Sequence, residues 1–511
     1  MRNFNYESIP GIDTLHALHG LYNDANVEKD DLLLMEKENK NSKIVESIEK
    51  AVELSGLSDG MTISFHHHFR DGDYIVNMVM DTLAKMGFKG LIIAASSLSA
   101  CHAPLVEHIK NGVVARIETS GLRGDLADAV SNGLMDLPVV FRSHGGRAYA
   151  IETRQLPIDV AFLGAPSSDY FGNANGYSRE GEHDIMCGAM GYAKSDSMYA
   201  KHTVVITNNI THYPNTPLGI SELGVDYIVL VDEIGDPKGI MKGATRFTKD
   251  PKELLIAETC ANVIESMGLL KDNFSMQMGS GGASLAVARF IREKMIEKKI
   301  IARFALGGIT GQIVEMYEEG LIQRILDVQS FDIAAATSLR DNRFHIQISA
   351  SYYASPGNLS AAVNQLDFVV LSALEVDTDF NVNVLTGNDG VIRGAIGGHP
   401  DTAAGAAVAI VVLPLTRGRI PCVVNKVNTV VTPGKTVDII VTDQGVAVNP
   451  SRPELAERIS KKGIPLTTIE ALQQKAQSIV GKPLAIEYTS KIVGVVAYRD
   501  NSVIDVVRQV K

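Results

Sequence analysis

Cysteine is scarce in this chain and basic residues are in the minority, and both shortages exclude classes of protein. Its 511 residues include four cysteines, which lie far apart without the spacing of a metal site or a disulfide framework. Scattered cysteines are typical of a reducing compartment, so we expect a cytoplasmic protein. Lysine and arginine number 48 against 59 aspartates and glutamates, which gives a net charge of −11. A general nucleic-acid binder is usually basic, so the charge argues against that class.

Long hydrophobic runs are also missing. The first residues, MRNFNYESIPGIDTL, lack the basic and then apolar pattern of a secretory signal. The longest apolar run, near residues 403–415, is too short to cross a bilayer and is ended by proline. Hydrophobic residues make up 45% of the chain and charged residues 21%, which is ordinary for a soluble globular protein. We therefore expect a soluble enzyme with no membrane and no nucleic-acid partner.

The length and the alternation of apolar segments predict more than one α/β domain. A chain of 511 residues is too long for one ordinary domain. Short β-branched stretches alternate with helical ones, which is the pattern of a mostly parallel sheet covered by helices. We expect three parts: a polar extension at 1–50 with a helix entering at Ile44 to Leu54, a first domain at 51–247, and a second domain at 248–511.

A strand-loop-helix-strand unit occurs twice, and the two loops differ in chemistry. The first copy reads MTISF, HHHFRDGD, YIVNMVMDTLAKMG and KGLIIAASS, between residues 61 and 97. The second reads NFSMQM, GSGGAS, LAVARFIREKMIEKKI and IARFALGG, between residues 273 and 308. Each loop lies where a strand ends and a helix begins, so free backbone N–H groups and the positive end of the helix dipole face a bound ligand. The repeat predicts two related domains that share one site.

The first loop offers polar and charged side chains suited to an anionic substrate. We expect His66, His67, His68 and Arg70 to bind it, because a guanidinium group pairs with a carboxylate through two hydrogen bonds. The segment SHGGR repeats the association of histidine, glycine and arginine, which makes Arg147 a second candidate. Three adjacent histidines cannot share one face, so we expect no metal site here.

The second loop and two further strand exits offer bare glycine backbone. Glycine lets a ligand approach the backbone closely because no Cβ intervenes. GSGGAS alone is a weak signal, and the full G-x-G-x-x-G spacing of a dinucleotide site is absent. Three glycine-rich exits in one half of the chain carry more weight. We expect an oxyanion or thioester loop at Gly279, Ser280, Gly281 and Gly282, and contacts with a cofactor-like group at Gly307, Gly308, Gly311, Gly397, Gly398 and His399.

Long stretches of the sequence resemble one bacterial enzyme family. In the first half these include DGMTISFHHHFRDGDYIVNMVMDTLAKMGF, TSGLRGDLADAVSNGL and VAFLGAPSSDYFGNANGY. In the second half they include FSMQMGSGGASLAV, FALGGITGQIVEMYEEGLI and LSALEVDTDFNVNVLTGNDGVIRGAIGGHPDTA. These segments are similar to the alpha chains of bacterial citrate lyase, within the CoA-transferase superfamily, and the resemblance covers roughly residues 40 to 511.

The resemblance implies a fold, an activity and partners. It implies the doubled CoA-transferase fold, an α/β architecture of two related, open, mostly parallel sheets. It implies a citrate CoA-transferase that exchanges acetyl for citryl on the CoA-like prosthetic group, phosphoribosyl-dephospho-CoA, of an acyl carrier protein, with acetyl-CoA as a surrogate. No cofactor is then bound permanently. The implied partners are citrate, the carrier protein and a citryl lyase beta chain in a multimeric complex.

Two departures from the wider superfamily bear on the mechanism. Many relatives have a Gly-Gly-Phe loop where this chain has His66, His67, His68 and Phe69. This difference implies a site adapted to a tricarboxylate. Many relatives also carry a catalytic glutamate soon after a Leu-Gly pair, where LGGITGQI places Gly311. The resemblance therefore implies that a citrate carboxylate attacks the acetyl thioester and forms a mixed anhydride, without a covalent glutamyl-CoA.

Two alternatives remain open at this stage. A conventional CoA-transferase would use another glutamate, and Glu375 is the best candidate, although a structural acid at a strand end is favoured for it. A non-enzymatic scaffold would only present the carrier protein to the lyase chain. For partner chains we expect contacts at the extension 1–50 and at the tail 486–510, which predicts a hairpin with its turn at Arg499 to Asn501.

Overall fold

Two large sheets, each formed mostly by parallel strands and flanked by helices, dominate the protein. The structure is a computed structural model that describes residues 42–179, 186–241, 248–279 and 281–511. Most of the predicted extension at 1–50 lies outside the described residues, as does Ser280. In the described part of the chain, no helix is long and apolar enough to cross a membrane.

The first sheet combines strands from the first half of the chain with the last two strands. In the described residues it contains β1 (Ile44–Val45), β2 (Thr62–Phe65), β3 (Leu91–Ala95), β4 (Val114–Thr119), β5 (Val139–Arg142), β6 (Val160–Ala165), β9 (His202–Thr207), β10 (Tyr227–Leu230), β25 (Tyr488–Ala497) and β26 (Val503–Val510). Their order across the sheet is β1-β10-β9-β6-β2-β3-β4-β5-β25-β26. Every residue of β2 and β6 is buried, as expected for central parallel strands covered on both faces.

The second sheet lies entirely in the second half of the chain. In the described residues it contains β11 (Ser275–Met278), β12 (Phe304–Ile309), β13 (Ile325–Ser330), β14 (His345–Gln347), β15 (Phe368–Ser372), β18 (Val408–Val412), β22 (Ile439–Thr442), β23 (Gly445–Val448) and β24 (Leu466–Thr467). Their order is β14-β13-β12-β11-β15-β18-β22-β23-β24.

Short strands and helices complete the described chain. The short strands are β7 (Ser167–Ser168), β8 (Ala174–Asn175), β16 (Glu375–Asp377), β17 (Val382–Asn383), β19 (Thr416–Arg417), β20 (Ile420–Pro421) and β21 (Val423–Val424). The α-helices are α1 (Ile48–Leu54), α2 (Ile75–Lys85), α3 (Leu105–Lys110), α4 (Gly124–Ser131), α5 (His144–Glu152), α6 (Gly191–Tyr199), α7 (Pro251–Ser266), α8 (Gly282–Lys298), α9 (Gly311–Glu318), α10 (Ile333–Asp341), α11 (Ala350–Ala354), α12 (His399–Gly405), α13 (Pro453–Lys461) and α14 (Ile469–Val480).

The two sheets repeat one topology. The run β10-β9-β6-β2-β3-β4-β5 in the first sheet corresponds, strand for strand, to β22-β18-β15-β11-β12-β13-β14 in the second. All neighbours within both runs pair in parallel. The predicted fold class, two related open parallel sheets, is therefore confirmed.

The repeated unit of the sequence lies at the centre of each sheet. It is β2–α2–β3 in the first and β11–α8–β12 in the second. Helix α2 buries Ile75, Val76, Val79, Met80 and Leu83, an amphipathic spacing that packs one face on the sheet. Helix α8 begins at Gly282, three residues before the predicted start, and Gly281 is its extended N-cap residue.

The N-terminal helix is shorter than predicted. Residues 44–54 were expected to form one helix, but Ile44 and Val45 form β1 and pair in parallel with β10. Ser47 then caps α1, since its hydroxyl accepts a hydrogen bond from the Lys50 amide at 3.2 Å. The β-branched residues Ile44 and Val45, followed by a strong N-cap residue, favour a strand here over the helix that the apolar spacing predicted.

The predicted C-terminal hairpin forms, and it extends the first sheet. Strand β25 pairs in parallel with β5 and in an antiparallel manner with β26. The turn lies at Arg499 to Asn501 as predicted, closed by a hydrogen bond from the Tyr498 amide to the Ser502 carbonyl at 2.7 Å. The domain limits at 50/51 and 247/248 stay predictions, but the hairpin strands themselves belong to the first sheet.

A segment of the second half docks on the first sheet and so positions the site. Ala395 forms an antiparallel bridge with Gly121. The Ile396 amide donates to the Ser120 carbonyl at 2.7 Å, and the His144 amide donates to the Gly397 carbonyl at 2.9 Å. A Cβ on Gly121 would lie 2.2 Å from the Ala395 Cβ, so this approach requires glycine.

Candidate functional site

A cavity of about 420 Å³ lies where the carboxyl ends of strands from both sheets meet. This edge is where ligands bind in open α/β sheets. The first half contributes loops after β2, β3 and β4, and the second half contributes loops after β11 and β15. Of the predicted site residues, the cavity lining includes His67, Arg70, Gly279, Gly281, Gly308, Gly397, Gly398 and His399.

The three adjacent histidines differ in environment. His66 is buried and its Nε2 donates to the Gly164 carbonyl at 2.9 Å. Burial lowers the pKa of His66 to about 4, against opposing contributions from Asp73 and that hydrogen bond. His68 is fully buried, and neither of its ring nitrogens has a hydrogen-bond partner. His67 is the one that lines the cavity. The ligand-binding roles predicted for all three stay predictions.

His67 belongs to an aromatic stack in the cavity wall. The Tyr192 ring lies with its centroid 5.0 Å from His67, 5.7 Å from His68 and 4.5 Å from His144. Burial, then the charges of His144 and Arg70, lower the pKa of His67 well below its ordinary value. Burial, then Arg147 and Arg70, lower the pKa of His144 to about 3. The His67 and His144 imidazoles are therefore neutral at physiological pH, and they present flat, polar ring surfaces to the cavity.

Arg70 occupies a strained backbone position at the cavity. Its φ is +55°, a left-handed conformation that costs energy for a residue other than glycine. Its guanidinium lies 4.7 Å from the centre of the Phe331 ring, and its Nη1 is buried without a partner. Burial, then the charge of Arg123, lowers the pKa of Arg70 to about 10, so it remains a cation.

The loop that carries Arg70 is held by two aspartates. Asp71 Oδ1 accepts from the Cys101 amide at 3.0 Å. Asp73 accepts from the Val76 amide at 3.0 Å and pairs with His102 Nε2 at 3.1 Å. Burial opposes the charge on His102, but hydrogen bonds to Asp73 and Cys101 outweigh it and raise the pKa of His102 to about 9.

Arg147 lies outside the cavity lining. Its Nη1 and Nη2 donate to the two carboxylate oxygens of Asp196 at 2.6 and 2.9 Å, and Nη2 also donates to the Ala94 carbonyl at 2.7 Å. Both side chains of the pair are buried. A guanidinium already occupied by a carboxylate is not free to bind a second one, so the predicted substrate role of Arg147 has no support from this geometry.

The glycine loop before α8 contributes backbone to the cavity. The Gly279 amide is used in a hydrogen bond to the Val370 carbonyl at 2.7 Å. A Cβ on Gly281 would lie 2.1 Å from the Ser372 Oγ, and one on Gly282 would lie 2.6 Å from a Glu253 carboxylate oxygen. The first hydrogen bond of α8 runs from the Leu285 amide to the Gly281 carbonyl. The amides of residues 282–284 precede this first helical hydrogen bond, and of this loop Gly279 and Gly281 line the cavity whereas residues 282–284 do not.

The other predicted glycines serve packing as well as access. Gly307 has φ +119°, and a Cβ there would lie 2.7 Å from the Gln277 side chain. A Cβ on Gly308 would lie 2.4 Å from the Phe331 ring. Gly311 begins α9, and its amide donates to Asp332 Oδ2 at 2.7 Å, so it does not line the cavity.

His399 and its neighbours join the two halves at the cavity. The His399 Nε2 donates to the Ser372 carbonyl at 3.1 Å, so Nδ1 accepts from the Thr432 hydroxyl at 2.6 Å. Burial lowers the pKa of His399 to about 4. Two residues further, buried Asp401 accepts from the Ser143 hydroxyl and from the Gly145 amide, both at 2.8 Å, and pairs with Arg499 of the hairpin turn at 3.3 Å.

Glu375 is held in a polar environment next to the cavity. Its carboxylate accepts from the Asn428 amide at 2.6 Å and from Asn383 Nδ2 at 2.9 Å. Burial raises the pKa of Glu375, while these hydrogen bonds act against the rise. Its neighbours Ala373 and Leu374 line the cavity and Glu375 does not.

Sequence reasoning missed several residues of the lining. They are Ser97, Ser99, Ser120, Arg123, His144, Tyr192, Gln277, Gln329, Phe331 and Tyr353. Ser97, Ser99, Ser120 and Arg123 follow β3 and β4 directly. Parallel strands place such residues at one edge, so the rule that predicted the first loop could have found them. Tyr192 comes from a helix and carries no comparable local signal.

Comparisons with known proteins agree on one family. A family model described as citrate lyase, alpha subunit (CitF), matches residues 41–510. The chain is 58% identical to the citrate lyase alpha chain of Haemophilus influenzae over 472 residues, 92% of this chain and 94% of that one. It is 57% identical over 472 residues to the citrate lyase alpha chain of Escherichia coli K12, 92% of each chain.

Solved structures agree with the sequence comparisons. A crystal structure from Streptococcus mutans, described as the alpha subunit of citrate lyase in complex with citrate, is similar with a TM-score of 0.90 and 57% identity, over 93% of this chain and 92% of that chain. The malonate decarboxylase alpha subunit of Acinetobacter baumannii has a TM-score of 0.64 at 13% identity, over 86% of this chain and 88% of that chain, and shares the fold alone. The protein described by these two sheets and their common cavity belongs to the citrate lyase alpha subunit family.

Proposed function

We propose that this chain is the citrate CoA-transferase subunit of a citrate lyase complex. One observation carries the proposal: guanidinium groups and glycine backbone from two different sheets line the same cavity. Guanidinium groups bind the carboxylates of a polycarboxylate, and backbone without Cβ atoms lets a thioester approach closely. The similar Streptococcus mutans protein formed crystals with citrate, which supports the same substrate here.

The donor in this proposal is an acetyl thioester on the CoA-like prosthetic group of an acyl carrier protein. Residues of this chain fit such a group in two respects. The cavity offers an unpaired polar atom, Gln277 Oε1, for the arm and its surroundings. Arg417 also lines the cavity and donates only to backbone carbonyls, so its positive charge suits the negative phosphates of the arm. Acetyl-CoA serves as a surrogate donor.

The proposed reaction has two acyl-transfer steps. An oxygen of a citrate carboxylate attacks the acetyl carbonyl carbon, the C–S bond breaks, and the sulfur leaves as a thiolate. The product of this step is a mixed anhydride of acetate and citrate. The thiolate then attacks the citryl carbonyl carbon, and acetate leaves with the bridging oxygen. Atoms and charges balance without water, a proton donor or a redox partner.

The chain's contribution is then positioning and oxyanion stabilisation. Holding the reactants in the cavity makes both attacks intramolecular in effect. Each tetrahedral intermediate carries an oxyanion, and the amides at the start of α8, which follow the cavity-lining Gly281, are the proposed hydrogen-bond donors to it. Removal of one such donor typically costs ~10²–10³ in rate.

Two other functions fit the chain less well. A conventional CoA-transferase would need a glutamate in the cavity, but the Glu375 carboxylate is already occupied by two hydrogen bonds and lies outside the lining. A scaffold without activity would not need a cavity lined by unpaired guanidinium groups.

The proposal is tested with the purified chain, acetyl-CoA and citrate. We expect citryl-CoA and acetate to form in equal amounts, with no oxaloacetate. Oxaloacetate from the chain alone, or the absence of acyl transfer from any thioester, would contradict the proposal. In the absence of citrate, we expect no CoA to become attached to the chain, so borohydride should not inactivate it. CoA found by mass spectrometry on Glu375 or another glutamate would favour the conventional mechanism.

The proposal includes partners and a compartment. A carrier protein would bring the acyl arm to this chain and to a citryl lyase beta chain, which would cleave the citryl thioester to oxaloacetate and acetyl thioester. A tether keeps the acyl group at roughly millimolar local concentration, so citryl thioester need not diffuse away. Co-purification with both candidate chains tests the complex, and fractionation of cells tests the proposed cytoplasmic location.

A further inference from the structure

Two arginines at the cavity lack the carboxylate partners that arginines normally have. Arg70 Nη1 is buried without a hydrogen-bond partner, and its guanidinium otherwise rests on the Phe331 ring. Arg123, on the loop after β4, lines the same cavity. Among the described residues, no carboxylate forms an ion pair with either guanidinium. Two cations without an ion-pair partner therefore line one wall of the cavity, with Asp71 close enough for its charge to act on the pKa of both.

The two guanidinium groups are close enough to affect each other. Burial, then the charge of Arg123, lowers the pKa of Arg70 to about 10. Enclosure by the cavity walls also lowers the pKa of Arg123, while Asp71 acts in the opposite direction. Like charges held together destabilise the free protein, and a bound polyanion would relieve that repulsion.

Ser120 adds an unused neutral donor beside the arginines. It is fully buried, its hydroxyl has no hydrogen-bond partner, and it lines the cavity three residues before Arg123. Its backbone carbonyl is fixed by the Ile396 amide at 2.7 Å, which ties this wall to the second half of the protein. A buried hydroxyl without a partner is costly, so a ligand oxygen at this position would recover a hydrogen bond.

The other arginines near the cavity already use their guanidinium groups in hydrogen bonds. Arg393 donates to Asp128 and to Asp389, both at 2.8 Å. Arg417 donates to the carbonyls of Leu374 and Ala373 at 2.8 and 2.7 Å. Arg147 is paired with Asp196. Arg70 and Arg123, on the loops after β2 and β4, are therefore the cavity arginines whose side chains make no hydrogen bond among the described residues.

We propose that Arg70, Arg123 and Ser120 form a subsite that binds the two carboxylates of the tricarboxylate that do not react. The substrate's identity rests on the proposed function; the assignment of Arg123 and Ser120 goes beyond it. Two guanidinium forks bind two carboxylates, which leaves the third to face the glycine loop of the second half. Arg123 is then a specificity-determining residue for substrates with more than one carboxylate.

The test compares matched arginine variants by calorimetry and kinetics. Arg123→Met should weaken citrate binding about ten- to a hundredfold, because a charge-assisted hydrogen bond is lost. Arg123→Lys, which keeps the charge without the fork, should recover part of this loss. The KM for acetyl-CoA should not change. Arg393→Met is the matched control, because this arginine also lines the cavity but is already paired, and it should not weaken citrate binding.

A second ligand separates carboxylate recognition from other contacts. Tricarballylate has three carboxylates and no hydroxyl group, so Arg123→Met should weaken its binding by the same factor as that of citrate. Ser120→Ala should weaken both ligands less than Arg123→Met does. Thermal unfolding of each variant checks that the fold is intact, and the Arg123 side chain, which has no hydrogen-bond partner among the described residues, should be replaceable without loss of stability.

The outcomes distinguish this inference from the proposed function. If the wild-type chain neither binds citrate nor transfers an acyl group, the proposed function is wrong. If it does both and Arg123→Met binds citrate as tightly as the wild type, the subsite is wrong and the function stands. An equal rise in the KM for acetyl-CoA and in the Kd for citrate would show a general effect on the cavity and would also overturn the subsite.

Discussion

At the scale of single residues, the candidate site contains side chains whose polar groups already have partners and side chains whose polar groups do not. Arg147 and Asp196 form a closed, buried ion pair. Arg70 and the His68 ring nitrogens lack partners. Arg147 and Arg70 were predicted from similar sequence patterns, a histidine and an arginine near glycine. Only the surroundings of each side chain, which the pattern does not contain, decide whether it can bind a ligand.

The buried pair gives a prediction about stability. Arg147→Met should lower the free energy of unfolding by ~3–5 kcal/mol, because it leaves the Asp196 carboxylate buried without a counter-charge. The double variant Arg147→Met with Asp196→Asn should recover much of that loss. Chemical denaturation measures both. If the single variant keeps its stability but loses citrate binding, Arg147 is a substrate residue after all.

The buried histidines give a prediction about pH. Burial lowers the pKa of His66 and His399 to about 4, from an ordinary value of 6.5 that the unfolded chain keeps. The unfolded state therefore binds more protons below pH 6.5, and stability falls as the pH is lowered from there towards 4. Each such histidine contributes a slope of up to ~1.4 kcal/mol per pH unit.

His68 offers a clean variant for that measurement. Burial, then the neighbouring His66 and His67, holds its pKa well below the ordinary value, and both ring nitrogens lack partners. His68→Phe keeps a ring against Tyr192 and breaks no hydrogen bond. We expect the variant to be more stable than the wild type at pH 5, with a smaller gain at pH 7.5, where the histidine is neutral in both states. A gain that does not depend on pH would contradict a neutral buried His68.

At the scale of elements, the sequence predicts features that depend on the hydrophobic period of a segment or on the order of segments along the chain. The strands and helices of the duplicated unit were found because buried parallel strands are continuously apolar and their helices are amphipathic. Arg123 and Tyr192 were missed because their place at the cavity depends on the order of strands in the sheet. The pairing of the C-terminal hairpin with β5 was missed for the same reason, because no pattern within residues 486–510 indicates which strand lies next to the hairpin.

The two helix starts that carry glycine give an element-scale prediction. A Cβ on Gly281 would lie 2.1 Å from Ser372 Oγ, whereas one on Gly311 would lie 3.1 Å from the Ala334 Cβ. Gly281→Ala should therefore cost ~1–3 kcal/mol in stability and move the start of α8, with a large loss of acyl transfer. Gly311→Ala, a change of the same kind at the start of α9, should cost less and leave acyl transfer close to that of the wild type.

Rescue tests the cause of that difference. If the Ser372 side chain is what a Cβ at position 281 displaces, Gly281→Ala combined with Ser372→Gly should recover more activity than Gly281→Ala alone. Equal damage by Gly281→Ala and Gly311→Ala would show that the close approach at Gly281 does not matter for the reaction.

At the scale of the whole molecule, the two halves are joined by more than chain connectivity. The hairpin adds the chain's last strands to the first sheet, and its Arg499 pairs with Asp401 of the second half. Buried Val493, Val496 and Val507 place the hairpin in the hydrophobic core of the first half. The tail was predicted to contact partner chains, and that remains a prediction. Removal of the tail cannot test it cleanly, because the tail is also part of the fold.

Deletion of residues 487–511 should therefore destabilise the first sheet and not merely detach a partner. We expect a lower unfolding temperature and loss of hydrogen-exchange protection in β5, whose edge would become unpaired.

Val503→Asp is the gentler change, since this residue of β26 is 64% exposed. It should keep the unfolding temperature of the wild type and, if the hairpin docks a partner, abolish co-purification with the carrier or lyase chain. Leu359→Asp, at a residue that is 89% exposed in the other half, is the control. A truncated chain that keeps its stability would show that the hairpin is an accessory to the fold, and a Val503→Asp chain that still assembles would place the docking surface elsewhere.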